Sequence, residues 1–427
     1  MAFILCFDRY NTLRVSSGFD NFGSVQLHLV ICIFGSWLIA FFCLLKGVRS
    51  VGKVVYVTAV LPYILLTTLL IRTCMMPGAG EGIVYFLRPD FSRLASVQVW
   101  LEALLQGFYS MSVTYGGLIT MSTYTKFHNN SLRDVVFLTV LGEASSIFCG
   151  LVVFSTLGFV AHHAQIPISD IVSSGSGLGF IIYPEAISHL PVSQLWAVLF
   201  FIMLITLGMA SLFGPMETVL AGIVDAYPKY LQPRRMYVTA GVCLFCFLMS
   251  VPYATNGGIY LLQLLDWYNS SFSILLIGCL ECIVINWIYG WKRFGRDIQM
   301  MIGKQYPIVL KLLSTYVTPF ILFASLIFSL FCYDHPSYGE YIYPEHAKVI
   351  GILMAVVMSL PIPIALLHQL IKRKGTFCER LRHASRPADD WRPSRRENRD
   401  VFLDKTDPHL DSKDIHIDNG QSKSSAV

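Results

Sequence analysis

The sequence predicts an all-α membrane protein with about nine transmembrane helices. Of its 427 residues, 54% are hydrophobic and only 14% are charged, whereas a soluble domain usually carries about 25% charged residues. The apolar residues gather in runs that can cross a bilayer, for which a helix needs about 20 residues. Because lipid offers no hydrogen-bond partners, each run is predicted to be a helix, which pairs its own backbone groups.

The apolar runs mark the predicted spans, and the basic residues between them mark the orientation. The runs cover residues 27–45, 54–73, 100–124, 135–162, 195–227, 237–253, 257–289, 308–331 and 347–371. Lysine and arginine follow every second run from the first onward, whereas residues 161–195 contain neither. We therefore expect an extracellular N-terminal segment (1–24), a transmembrane region (25–371) and a cytoplasmic C-terminus. This orientation also leads us to expect an odd number of further helices upstream.

The remaining composition narrows the class of protein. Residues 372–427 are polar and carry both charges, so a disordered cytoplasmic tail is predicted. Its last three residues, Ser425-Ala426-Val427, match peptides that bind PDZ-type grooves, although the match is short. The net charge is +5 without a basic stripe, which argues against a nucleic-acid partner. The chain has no HExxH, GxSxG or nucleotide-binding motif, so no enzyme is predicted.

The third run contains a candidate binding site. Its centre reads QGFYSMSVTYGGLITMSTY, which crowds Ser110, Ser112, Thr114, Gly116 and Gly117 together. Hydroxyl side chains and glycine weaken a helix, and broken helices form the binding sites of secondary transporters. Small residues also permit close helix packing. The pattern alone leaves both interpretations open.

Five carboxylates lie inside predicted spans, where ionisable groups are costly and are functional candidates. They are Glu102, Glu143, Glu217, Asp266 and Glu281. Asp266 lies near an outer end and could pair with a cation there. Glu217 and Glu281 are instead predicted to make structural hydrogen bonds to neighbouring helices.

Two helix-weakening residues mark the second run, with Gly52 just before it and Pro62 inside it. A proline inside a helix frees a carbonyl group and permits local opening, or it simply kinks the helix. The sequence does not distinguish these two interpretations.

Long motifs, in order, resemble the neurotransmitter:sodium symporter family, whose members carry GABA, glycine, monoamines, betaine and other amino acids. They include KGVRSVGKVVYVTAVLPY, YGGLITMSTYTKFHNN, PISDIVSSGSGLGFIIYPEAIS and NGGIYLLQLLDWYNSSFS, and extend over about residues 20–371. The resemblance implies a twelve-helix fold with inverted repeats, of which this chain matches helices 4–12. It also implies sodium- and chloride-coupled symport of a small amino acid or amine across the plasma membrane.

The resemblance also assigns roles to individual residues. The implied substrate-binding residues are Tyr109, Ser110, Tyr115, Gly117, Ser211 and Leu212. The implied chloride ligands are Gln106, Ser110 and Ser146, and the implied sodium ligands are Ser110, Leu207 and Ser211. Asp266 matches an outer gate, and Gly52 and Pro62 match a motif that opens the inner half of their helix.

Several positions depart from the family pattern. Gly142 and Ala210 stand where sodium ligands with oxygen-bearing side chains are usual, Ser112 and Thr114 replace glycines, and Pro215 replaces another glycine. These changes imply altered ion coupling, an altered substrate or lost transport. A non-transporting truncated or regulatory relative is therefore the alternative to a transporter, and a membrane enzyme or receptor fits the sequence less well.

Overall fold

The computed structural model describes residues 13–45, 47–171, 180, 182–331, 337–338, 341–373, 375–387, 391 and 393. In this part of the chain, helices predominate and the strands form one antiparallel pair, β1 (Ser337–Tyr338) and β2 (Tyr341–Ile342), in which Ser337 faces Ile342. The α-helices in chain order are α1 (Leu27–Leu44), α2 (Val48–Cys74), α3 (Ala79–Leu87), α4 (Val97–Ser110), α5 (Gly117–Ser122), α6 (Ser131–Ala164), α7 (Ile168–Ile171), α8 (Tyr183–Ser188), α9 (Ser193–Ala226), α10 (Pro228–Leu231), α11 (Arg235–Ser250), α12 (Gly258–Tyr268), α13 (Ile274–Ile283), α14 (Trp291–Ile302), α15 (Ile308–Leu312), α16 (Thr318–Phe331), α17 (Glu345–Ser359), α18 (Pro361–Lys372) and α19 (Phe377–Ala384). Short 3₁₀ turns cover Phe91–Ala95 and Val251–Ala254, and π-helical turns cover Asn269–Ser273, Val284–Gly290 and Leu313–Val317.

The prediction of an all-α membrane protein is confirmed. Within the described residues, 8 helical stretches are long and apolar enough to cross a membrane. The sequence predicted about nine. The difference is the run at 100–124, which folds as two helices, α4 and α5, with six residues between them that are not helical.

The chain divides into two compact units, and the first holds the main apolar cores. It comprises Met1–Lys126, Leu132–Gly278 and Leu322–Leu360. One core cluster joins α2, α6, α8 and α9, and a second joins α1, α2, α9 and α11. Helix α9 belongs to both clusters, so its position is fixed from two sides.

Glycines allow α3 and α6 to approach closely. A Cβ atom on Gly82 would lie 1.9 Å from the carbonyl oxygen of Phe154, and one on Gly158 would lie 2.4 Å from that of Gly78. Both distances are far below contact distance, so alanine at either site would push the helices apart. Small residues serve the same purpose at many membrane helix interfaces.

The described part of the N-terminal segment folds onto the loop before α12. The side-chain oxygen of Asn256 accepts hydrogen bonds from the Ser24 backbone N–H (2.8 Å) and the Gln26 amide (3.1 Å). Val25 and Thr255 form an isolated β-bridge beside them. Residues Phe19, Tyr260 and Tyr343 pack together in a third core cluster. The extracellular location of this segment remains a prediction.

The second unit comprises Phe127–Ser131, Cys279–Ile321 and Pro361–Val427. Asn286 and Trp287 donate side-chain hydrogen bonds to the carbonyl oxygens of Ser314 and Thr315, each at 3.0 Å. These bonds join the π-helical turn Val284–Gly290 to the π-helical turn Leu313–Val317, and they place polar groups of two spans against each other.

The predicted disordered tail begins with an ordered helix, which corrects the prediction for these residues. Helix α19 starts with a capping box, in which the Thr376 backbone N–H donates to the Glu379 carboxylate at 2.9 Å and the Thr376 side chain caps the helix in return. This pair satisfies backbone donors that would otherwise lack partners. The C-terminal residues Ser425-Ala426-Val427 lie outside the described residues.

Candidate functional site

The third apolar run is broken at its centre. The helical hydrogen bonds of α4 end at Val113, whose N–H donates to Phe108 O (3.3 Å), and they resume where the Thr120 N–H donates to Gly116 O (2.9 Å). Between these points φ is +50° at Ser112 and +73° at both Thr114 and Gly116. Left-handed backbone is comfortable for glycine but costly for serine and threonine. Of the two interpretations that the sequence left open, the structure supports the broken helix.

Helix α6 packs against the break at Gly142, which has no side chain. A Cβ atom on Gly142 would lie 3.2 Å from the sulfur of Met111, the first residue of the break. Ser146 follows one helical turn later and donates its hydroxyl to the Gly142 carbonyl (3.2 Å). Ser146, an implied chloride ligand, and Gly142, which replaces a usual sodium ligand, therefore share the face of α6 beside the break. Glu143 is exposed and lies about 100° around the helix from Gly142.

Helix α9 forms a second wall of the break. A Cβ atom on Gly116 would lie 3.0 Å from the Thr218 methyl group, and one on Gly117 would lie 3.9 Å from the backbone of Gly214. Ser211 precedes Gly214 on the same side of α9, and its hydroxyl donates to the carbonyl of Leu207 (3.0 Å). This face of α9 therefore carries the predicted sodium positions.

The remaining predicted residues of α9 divide between this face and the core. Ala210 precedes Ser211 by one position and presents only a methyl group. Leu212 packs against the cluster that contains Met209 and Phe213. It lies about 100° around α9 from Ser211. The role of Leu212 in substrate binding stays a prediction.

The third wall comes from α12 and α13. A Cβ atom on Gly278 of α13 would lie 3.2 Å from the Thr114 methyl group. Tyr115, in the break, accepts a long hydrogen bond from the Asn269 side chain (3.4 Å). Asp266, the predicted outer-gate residue, is exposed and lies one turn before Asn269. Asn269 was not predicted as a site residue from the sequence. An amide side chain inside an apolar run could have indicated it, because polar groups are costly there.

The α4 side of the break is open in the described structure. Tyr109 is 50% exposed, and Gln106, Ser110 and Ser112 are also exposed. Gln106 and Ser110 lie one turn apart on α4, and among the described residues no hydrogen bond joins either to Ser146. Because lipid cannot pair with such groups, this face must contact protein or water in the membrane.

Helix α2 contains a discontinuity in its hydrogen bonding. It is helical from Val48 to Cys74 with Pro62 inside it, and Pro62 has no N–H to offer the carbonyl of Thr58. The Thr58 hydroxyl is buried and has no partner within the described structure. Gly52 has open space around its α-carbon. The structure therefore contains no sharp break at Pro62, only a weakened point.

A buried ion pair connects three helices of the first unit. Glu217 on α9 is fully buried and accepts hydrogen bonds from the Arg235 guanidinium of α11 (2.5 Å) and the Tyr124 hydroxyl that follows α5 (3.1 Å). The predicted hydrogen-bonding role of Glu217 is confirmed. Its partner Arg235 was not predicted, because it is one of several basic residues that follow the fifth apolar run and mark orientation.

These features define a class of protein. Several apolar helices span the membrane, one of them is unwound at its centre, and polar residues of neighbouring helices line the unwound segment. Such discontinuous helices are typical of secondary transporters, whose substrate and ion sites lie at the break.

Comparison with known proteins gives the family. The model for the sodium:neurotransmitter symporter family matches residues 4–373, and the chain belongs to this family. It is 42% identical over 385 residues to the sodium- and chloride-dependent glycine transporter 2 of Xenopus laevis, covering 90% of this chain and 49% of the relative. It is 41% identical over 393 residues to the sodium- and chloride-dependent glycine transporter 1 of Xenopus laevis, covering 92% of this chain and 62% of that relative. The chain thus spans roughly half to three-fifths of the length of these relatives.

Proposed function

We propose that this chain carries a major part of the substrate and ion pathway of a sodium- and chloride-coupled symporter. The broken helix between α4 and α5 is the observation that carries this proposal. Within the described structure, the carbonyl groups of residues 110–115 accept no backbone hydrogen bond, and free carbonyls suit a sodium ion or a substrate ammonium group. Family membership supports the same activity.

The proposed substrate is glycine or another small amino acid or amine. Two relatives with more than two-fifths identity are named as glycine transporters. The Thr114 and Met111 side chains take up space at the break, where they contact Gly278 and the Gly142 position. A crowded break favours a small substrate over one with a bulky side chain. The proposed substrate-binding residues are Tyr109, Ser110, Tyr115, Gly117, Ser211 and Leu212.

The proposed ion sites lie on the faces of α6 and α9 that flank the break. Ser110, the Leu207 carbonyl and Ser211 supply oxygens for sodium, and Gln106, Ser110 and Ser146 supply donors for chloride. Gly142 and Ala210 contribute no side-chain oxygen. Because a buried cation needs nearby negative charge, we propose that sodium binds more weakly here than where a carboxylate is present.

The proposed location is the plasma membrane, with the C-terminus in the cytoplasm. The loops rich in lysine and arginine support this orientation under the positive-inside rule. Asp266 is proposed to act at the outer gate, and the weakened point at Pro62 is proposed to let the inner half of α2 open.

Uptake of radiolabelled glycine by cells that express the protein tests the proposal. We expect uptake that falls when sodium is replaced by N-methylglucamine or chloride by gluconate. Ser110→Ala should raise the half-saturating glycine concentration roughly tenfold or more, because a hydrogen bond to a charged group contributes about 1.5–3 kcal/mol. Ser122→Ala is the matched control, since the Ser122 hydroxyl donates only to Ile119 O (2.7 Å), beyond the break.

Two results would count against the proposal. Normal surface expression without uptake of glycine or other small amino acids and amines would favour the non-transporting alternative. Equal effects of Ser110→Ala and Ser122→Ala would show that the break is not the binding site.

A further inference from the structure

The second unit contains an open pocket that the transport pathway does not use. It has a volume of about 580 Å³ and lies between the start of α14 and helix α19. Arg293 of α14, Arg382 of α19, and Ser385 and Arg386 beyond it contribute polar groups to its lining. Three arginine residues thus line one pocket.

The positive charge of this pocket is largely unpaired within the described residues. None of the ion pairs found there involves Arg293, Arg382 or Arg386. Asp297 is the carboxylate near Arg293, and it already accepts a hydrogen bond from the Tyr289 hydroxyl. Glu379 is engaged in the capping box of α19, so neither carboxylate is placed to neutralise all three arginines.

The walls of the pocket are held in place by hydrogen bonds. Trp391 donates its indole N–H to the Tyr289 hydroxyl (3.1 Å), which ties the segment after α19 to the π-helical turn that precedes α14. The Arg380 side chain donates to Gly375 O (2.7 Å) and that of Arg373 to His383 O, which fasten the two ends of α19. The arginines of the pocket therefore project from an ordered framework.

The rim of the pocket has the composition of a membrane interface. Ile288 and Leu381 line it, Leu381 is 42% exposed, and the nearby Phe377 is 68% exposed. Phe377 and Leu381 lie one turn apart on the same face of α19. Apolar and aromatic side chains beside arginines are typical of helices that lie in the headgroup region of a bilayer. The adjoining span ends at Gly290, where the backbone turns to φ +94° into α14.

We propose that this pocket binds the phosphate groups of a polyphosphorylated phosphatidylinositol in the adjacent leaflet. Arginine binds phosphate oxygens through paired N–H groups, and three arginines match a headgroup with more than one phosphate. The Ser385 hydroxyl and the apolar rim would contact the headgroup and the start of the acyl chains. A lipid, rather than a free inositol phosphate, is favoured because the apolar rim adjoins the arginines. On the orientation proposed above, this leaflet is the cytoplasmic one, where anionic lipids concentrate.

Binding can be measured on the detergent-solubilised chain by fluorescence anisotropy with a labelled dioctanoyl phosphatidylinositol bisphosphate. We expect saturable binding, and a rise in Kd of roughly tenfold or more for each arginine removed in Arg382→Gln/Arg386→Gln. Lys292→Gln/Lys304→Gln is the matched control, because it removes the same charge from exposed residues of the same unit outside the pocket lining. The control should bind like the wild type. Arg293→Gln provides a second test on α14 if the double variant fails to elute as a monodisperse species.

The competing interpretations give different results. Equal losses in the pocket variant and in the lysine control would reduce the binding to general electrostatics and overturn the proposal. Competition by inositol trisphosphate or inorganic phosphate at the same concentration as the unlabelled lipid would assign the site to soluble phosphates and overturn the lipid assignment. Weak competition by both, with tight binding of the lipid, would support it. Since this assay involves no transport, its outcome is independent of the proposed symport.

Discussion

The buried pair Glu217–Arg235 allows a prediction about stability with a definite sign. The Glu217 side chain is 0% exposed and that of Arg235 is 25% exposed, with 2.5 Å between the charged atoms. Arg235→Met leaves the carboxylate buried with Tyr124 as its one remaining hydrogen-bond partner among the described residues. Breaking a buried pair from one side usually costs about 3–5 kcal/mol, so we expect a loss of that size in the free energy of unfolding.

The double variant Glu217→Met/Arg235→Met should behave differently. The second carboxylate oxygen of Glu217 and the Nε atom of Arg235 are buried without partners in the described structure. The pair therefore bears a desolvation cost at these two atoms, which its hydrogen bonds do not reach. Replacement of both residues by apolar side chains is often neutral or stabilising by about 1–4 kcal/mol. We expect the double variant to be at least as stable as the wild type.

The measurement is a double-mutant cycle. The free energy of unfolding is measured in detergent micelles for the wild type, Glu217→Met, Arg235→Met and the double variant. Arg234→Met is the matched control, because this neighbouring arginine is exposed and should change stability by about 0.5 kcal/mol or less. If the losses of the two single variants simply add in the double variant, the two residues are not coupled and the reasoning is refuted.

Three further changes probe the ion site, the break and the tail. Ala210→Asp should lower the half-saturating sodium concentration for uptake roughly tenfold or more, because a nearby carboxylate attracts the cation by a few kcal/mol; unchanged sodium dependence would place the ion elsewhere. Ser112→Gly and Thr114→Gly should each raise stability by up to about 1 kcal/mol, since relief of left-handed strain exceeds the entropy cost of glycine; a lower melting temperature in detergent would contradict this. Hydrogen bonds from Thr376 hold the pKa of Glu379 below its usual range, so the α19 cap is intact above the ordinary carboxyl pKa and is lost as pH falls through the lowered value. Amide exchange over residues 377–384, corrected for intrinsic rates, should accelerate in acid in the wild type but not in Glu379→Gln, whose amide keeps the cap at any pH.

Hydrophobic runs predicted most of the spans and marked the interval where a break was one of two interpretations, because both features depend on local sequence. The interval from Ser110 to Gly117 combined hydroxyl residues with glycine, and the structure unwinds there. The capping box of α19 could also have been predicted, because Thr376 and Glu379 have the required spacing. The charged composition of the tail led to a prediction of disorder instead.

Contacts between distant segments could not be predicted in this way. Glu217 and Arg235 lie on different helices, and the sequence offers several arginines as equally plausible partners. The contact between Gly142 and Met111 depends on how α6 packs beside the break. The placement of Leu212 against the core depends on the rotation of α9, which a resemblance between sequences does not specify.

Two of the departures from the family pattern, Gly142 and Thr114, are each matched in size to a residue packed against them, which bears on whether the chain transports. A larger side chain at Gly142 would meet Met111, since a Cβ atom there lies 3.2 Å from the Met111 sulfur. Thr114 stands in place of a glycine, and its methyl group packs against Gly278. A Cβ atom added to Gly278 would lie 3.2 Å from that methyl group. Loss of a ligand through decay would leave an unfilled space, which costs stability. At these two positions, however, a small residue on one helix matches a larger one in the break, and this complementarity favours a site adapted to a different ion balance or substrate over a site that has lost its function.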